Sequence, residues 1–261
     1  MNISHKKILL AILLTSAILR IGWLSRGDAV NDEVFYGFRA IEPMDFDQAE
    51  MQTTPLEWQD PNIKQWTKLS FHDHPPLVFW VQHVFIKIFG ENNFALRLPS
   101  ALLGIASVYL IYLLGTVLFS AAAGLISAGL LSITLNHVYI SRVGMQESYV
   151  IFFLLLCSYL FLKKKWLWFG IALGFAFLTK YNTFILVPIF ATHLLLYDSN
   201  VFKNKKLYLA AALTFLIFSP VIIYNLFLYG SVGHFDFQFS YIFGQNPEVW
   251  QISPGKEIGT L

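Results

Sequence analysis

Four short stretches of the sequence carry side chains whose types and order suit chemistry on a charged ligand. The densest is Phe71-His72-Asp73-His74-Pro75-Pro76-Leu77-Val78-Phe79-Trp80. Its prolines restrict the backbone and favour an extended approach, so the side chains before them keep few directions. A His-Asp-His run can ligate a metal or set a cation beside a phosphate. It is also what a proline-terminated loop with surface histidines looks like. Asp32-Glu33 can supply a base, or simply open a helix where carboxylates meet the positive end of the dipole. Ser141-Arg142 with Glu147, and Thr179-Lys180, offer fixed charges of both signs, although charges flanking helices also serve as anchors. His234 adds a polar candidate within Gly233-His234-Phe235-Asp236-Phe237-Gln238.

The elements that must position these groups are membrane helices. Of the 261 residues 56% are hydrophobic and 13% charged, and the mean hydropathy is +0.57. That leaves too little polar surface to coat a water-soluble globule. The apolar residues come in long runs, as spans do. Aromatic residues make up 17%, and many flank those runs, where amphipathic rings favour the headgroup layer. Cys157 stands alone inside an apolar run, so no disulfide framework exists.

The expected fold is all-α, a polytopic transmembrane bundle of one domain over 1–261, with spans at 8–24, 98–119, 121–140, 149–162, 166–180, 183–197 and 207–229. The first run lacks a small-residue cleavage site and reads as a retained helix. Between it and the second lies a polar stretch, 26–97. There Val34, Phe35, Phe38 and Ile41 recur at helical spacing beside Asp32, Glu33 and Arg39, which predicts a helix lying on the membrane surface. Leu77 to Phe89 is apolar but short, and predicts a second interfacial or re-entrant helix.

Lysines set the orientation. Lys6 and Lys7, the triplet Lys163-Lys164-Lys165, and Lys203, Lys205 and Lys206 fall on one side if the N-terminus is cytoplasmic. Segments 26–97, 141–148, 179–182 and 230–261 then lie outside. Asp32, Glu33, Asp73, His74, Arg142, Glu147, Lys180 and His234 all belong to that outer side.

The order of these motifs resembles a family. An acidic pair after the first helix, Asp73-His74-Pro75-Pro76-Leu77 with Trp80, Arg97-Leu98-Pro99-Ser100 opening the next span, a Ser-Arg…Glu turn and Leu178-Thr179-Lys180 occur in sequence. Together they look like the bacterial relatives of protein O-mannosyltransferases and lipid A aminoarabinose transferases, within the GT-C glycosyltransferase superfamily. The similarity runs from about Asp32 to about Gly244. It implies a multi-pass enzyme of the inner, or plasma, membrane with an extracytoplasmic active site. The implied donor is a sugar on a polyprenyl phosphate, and the acceptor a lipid, glycan or protein. Membrane lipids are the other expected partners, and nucleic acid is not one.

Carried over by position, Asp32 is the candidate base, with Glu33 assisting or exchanging roles. His74, Arg142 and Lys180 would meet the donor phosphate, and Glu147 and His234 would serve as further substrate contacts. Asp73 matches a carboxylate position that can hold a divalent metal, the one cofactor the resemblance allows for. Histidine stands at 74 where many relatives have lysine, which makes that contact pH-dependent. The chain reaches Leu261 in a polar segment where such relatives continue, and it reads as a fragment, a split product or a shortened homologue. A transporter would instead keep its polar groups near the midplane in broken, repeated helices. A non-catalytic remnant could use the Gly170/Gly174 spacing for helix contact.

Overall fold

The structure is a computed structural model that describes residues 3–30, 32–41 and 74–245. All regular elements among these are helical. They run α1 (Ile3–Ile21), α2 (Asp32–Ile41), α3 (Leu77–Phe89), α4 (Asn93–Leu118), α5 (Ala121–Ile133), α6 (Leu135–Ser141), α7 (Glu147–Leu162), α8 (Trp166–Phe177), α9 (Leu186–Tyr197), α10 (Lys205–Val232) and α11 (Phe237–Ile242). Short 3-10 turns, Tyr181–Ile185 and Ser199–Lys203, precede α9 and α10.

Each expected span is helical, but the helices differ in reach. By length and apolar composition α4 and α10 can cross a membrane singly, and α5 with α6 can do so as a pair bent by 64°. α7, α8 and α9 are shorter than the roughly 20 residues a bilayer core demands. The expected span 166–180 stops at Phe177, because Lys180 is extended at φ −161°, ψ 135° and Thr183 Oγ1 donates to the carbonyls of Ala176 and Lys180. α3 has the boundaries its sequence predicts, ended by Gly90 at φ 84°, a conformation glycine adopts without a steric penalty. α2 buries Tyr36 and Ala40 and leaves Val34, Phe35 and Phe38 exposed, as a surface-lying helix requires.

The main core joins α7 to α10 through aromatic rings. Phe161 stacks on Phe190 at 4.4 Å, and Phe177 meets Phe184 edge-on at 4.6 Å. Such pairs add about 0.5–1.5 kcal/mol beyond the area they bury. Gly170 and Gly174 let α8 lie directly on α10. A Cβ on Gly174 would come within 2.7 Å of Ile217 Cβ, one on Gly170 would strike the Ala210 backbone, and Thr214 Oγ1 donates to the Gly170 carbonyl at 2.9 Å. The glycine pair is therefore spent on packing within the chain. Gly170→Val should push the two helices apart and cost roughly 1–3 kcal/mol, read as a lower unfolding midpoint in detergent; an unchanged midpoint would refute the close contact.

Candidate active site

The turn between α6 and α7 organises one end of the bundle. Glu33, at the start of α2, is fully buried. Its Oε1 accepts from Arg97 Nε at 2.7 Å and from the Gly144 amide at 2.7 Å; its Oε2 accepts from Arg97 Nη2 at 2.9 Å and the Val30 amide at 3.1 Å. Arg97 also donates to the carbonyls of Leu24, Arg26 and Asp28. The forked pair thus ties α2, α4, the chain between α1 and α2, and the 142–147 turn into one unit. Gln82 completes it, donating to the Gly144 carbonyl at 2.7 Å. A Cβ on Gly144 would lie 2.8 Å from Leu96 Cγ and 3.1 Å from Glu33 Oε1, so glycine is what lets the turn come this close.

Two arginines cap helix ends across the α1, α5 and α6 contact. The α5–α6 break at Thr134 leaves carbonyls of the last α5 turn without helical partners. Arg20 reaches across from α1 and donates to the Ser132 carbonyl at 3.0 Å and the Leu131 carbonyl at 3.3 Å, while its Nη2 contacts His137 Nδ1 at 2.6 Å. Arg142, at the end of α6, donates to the carbonyls of Leu19 (2.7 Å) and Gly22 (2.8 Å), the equivalent orphans of α1. Arg142 therefore caps α1 here, although its sequence position suggested a donor phosphate. Glu33 likewise holds the scaffold with both oxygens, where a share in the base had been expected.

His74, Glu147 and Lys180 do come together. Lys180 Nζ lies 3.0 Å from Glu147 Oε1. Their side chains are 33% and 36% exposed, so the pair is a weak one and the ammonium can be recruited by an arriving anion. Glu147 Oε2 is buried without a hydrogen-bond partner. Lys180 and His74 line a pocket of about 100 Å³ with Pro75, Tyr181, Asn182 and Gln238. The His74 ring meets Tyr36 of α2 edge-on at 5.6 Å. Asp32 is exposed on the first turn of α2, next to the buried Glu33. His234 is buried, with Nδ1 at 2.7 Å from the Phe235 carbonyl, and it is not among the residues that line this pocket. Asp73 falls outside the described residues. Among those described, no three His, Cys, Asp or Glu side chains gather closely enough to hold a metal.

Asp236 was missed by sequence reasoning, though its neighbour His234 was not. It is fully buried and caps α11 through the Phe239 amide at 2.9 Å. Its Oδ2 accepts from Tyr181 and Asn225, each at 2.9 Å, and so fixes one wall of the pocket. The N-cap pattern of Asp236 before a Phe-Gln-Phe-Ser run was the legible signal.

A second, apolar groove of about 340 Å³ opens beside the pocket, between α3, α4, α7 and α8, lined among others by Leu77, Val81, Leu102, Tyr149 and Phe153. The two spaces share a strand of chain. His74 and Pro75 face the polar one and Leu77 the apolar one.

A bent-helix bundle of this kind defines a GT-C-like membrane fold. The chain superposes on the S. cerevisiae protein O-mannosyltransferase Pmt1-Pmt2 complex bound to the sugar donor with a TM-score of 0.59, at 20% identity, over 89% of this chain and 34% of that one. Residues 73–224 match the family model of dolichyl-phosphate-mannose-protein mannosyltransferases, and the chain belongs to that family. It is 29% identical over 224 residues to the putative mannosyltransferase YkcB of Bacillus subtilis (strain 168), covering 80% of this chain and 29% of the relative. Identity to YycA of the same organism is 35% over 143 residues, 52% of this chain and 21% of the relative. The chain thus spans less than a third of the length of these curated relatives.

Proposed function

We propose that the chain carries the donor-binding and catalytic portion of a membrane glycosyltransferase, which moves a sugar from a polyprenyl-phosphate donor to an extracytoplasmic lipid, glycan or protein by inverting transfer. The observation that carries this reading is the pocket lined by His74 and Lys180 together with an apolar groove reached two residues on from Pro75, at Leu77. An amphiphile with an anionic head and an isoprenoid tail matches both spaces at once. In the transfer, an acceptor hydroxyl attacks the anomeric carbon from the face opposite the phosphate, and the carbon–oxygen bond to phosphate breaks. The polyprenyl phosphate leaves with that electron pair, its growing charge met by Lys180 and His74. Asp32 takes the acceptor's proton. Glu147 Oε2 is an acceptor for a sugar hydroxyl. Under this reading the N-terminus is cytoplasmic, the membrane is the plasma membrane, and the site faces outward.

The test follows the donor. Lys180→Gln should raise the KM for a polyprenyl-phosphate sugar roughly 10- to 100-fold, as loss of a charge-assisted contact to phosphate does. A water-soluble sugar phosphate without the lipid should be a poor donor for either form. An unchanged donor KM, or equal use of the soluble donor, would overturn the assignment.

A further inference from the structure

The opposite end of the bundle bears a charge pattern that the catalytic reading leaves unused. α7 and α9 end there, and α8 and α10 begin. Lys163, Lys164 and Lys165 link α7 to α8; Lys203, Lys205 and Lys206 introduce α10. All six are exposed. Nearly 40 residues separate the two groups in sequence, yet the fold joins them. Trp166 and Val201, which flank the two lysine groups, are buried in the same hydrophobic cluster. Lys164 takes a left-handed backbone, φ 52°, and its Nζ reaches Asp198 at 2.6 Å on the other connection. Lys6 and Lys7 at the free end of α1 point to the same side, since the other end of α1 lies against Arg142.

Asp198 is the lone carboxylate between Ser148 and Phe235 in the sequence, and Lys164 occupies it. Among the described residues, no carboxylate pairs with the other five lysines of the two groups. Around them, Trp168, Tyr197 and Tyr208 are 65%, 77% and 60% exposed, an aromatic rim suited to the headgroup level. Lysines that only guided insertion would need no convergence and no pinning across two connections.

We infer that the lysines of the α7–α8 and α9–α10 connections form one docking surface for anionic phospholipid headgroups of the adjoining leaflet. Juxtamembrane basic clusters of four to eight residues attract such lipids, and the attraction fades within a Debye length.

The experiment compares the full chain in nanodiscs of phosphatidylcholine alone with nanodiscs that include phosphatidylglycerol. Thermal unfolding and native mass spectrometry of retained lipid are the readouts. Phosphatidylglycerol should raise the midpoint and stay bound, and the triple variant K203Q/K205Q/K206Q should weaken its apparent affinity by roughly 100-fold at low salt. The variant K163Q/K165Q, on the other connection, should lose a comparable share and gives an independent reading should the first not fold. Molar salt should erase the difference. Equal stability in both lipids, or a full shift retained in both variants, would overturn the proposal. So would an equal shift from inorganic phosphate added to phosphatidylcholine discs, which would make this a soluble-anion site.

Discussion

Asp32→Asn, at the proposed base, is expected to all but abolish sugar transfer while the protein still folds and accumulates in the membrane. Asp32 is exposed at the first turn of α2. Asparagine keeps its shape and costs no more than the carboxylate's favourable meeting with the helix dipole, roughly 0.3–1 kcal/mol. What it loses is the capacity to take a proton, and removal of a general base lowers rates roughly 10²- to 10⁴-fold. Glu33 cannot stand in, because both its oxygens are held by Arg97 and by backbone amides. The adjacent acids should therefore separate cleanly. Asp32→Asn lowers turnover at normal protein level, and Glu33→Gln lowers the unfolding midpoint and yield. Undiminished turnover in Asp32→Asn, measured with a polyprenyl-phosphate donor in membranes of matched protein content, would remove Asp32 from the mechanism.

Arg97→Ala should be the most damaging single change to stability. The pair's side chains are 7% and 0% exposed, so removing the guanidinium strands a carboxylate where water cannot reach it. Breaking such a pair costs roughly 3–5 kcal/mol. The carbonyls of Leu24, Arg26 and Asp28 lose their donor in the same step, loosening the chain between α1 and α2. At two to four degrees per kcal/mol the midpoint should fall by roughly 10 °C. A double-mutant cycle checks the cause. Arg97→Met with Glu33→Leu replaces both charges by apolar bulk and should be distinctly more stable than the sum of the single losses predicts. Strict additivity would show that the two residues do not act as a pair.

Much of the fold was legible because it is written in short-range patterns. Runs of apolar residues marked where helices form, although by length and composition only α4, α10 and the bent pair α5–α6 suffice to cross a membrane, and Pro76 and Gly90 bracket α3 where its sequence places it. The α5–α6 break was not legible. Neither glycine nor proline marks Ile133-Thr134-Leu135, and what satisfies the broken turn is Arg20, 112 residues from the Ser132 carbonyl it meets. The same holds for the site. Glu147, Lys180 and His74 were each visible as polar residues at helix ends, and their meeting is what the fold adds. Type and side cannot reveal which charges are already engaged. Arg142 and Glu33 looked like free chemistry and are structural, whereas Arg97 looked like part of a motif and is the partner that decides Glu33's role.

The arginine at the end of α1 also constrains how the protein is made. A chain emerging from the ribosome delivers Arg20 to the membrane long before Ser132 and His137 exist. During that interval the guanidinium must stay at the lipid–water boundary on its flexible stem, because alone in hydrocarbon it is costly. Only when α5 and α6 arrive can it sink among their carbonyls, and Arg142, synthesised a few residues later, then closes over the end of α1. The buried seat of Arg20 thus depends on α5 and α6, which lie more than a hundred residues further along the chain.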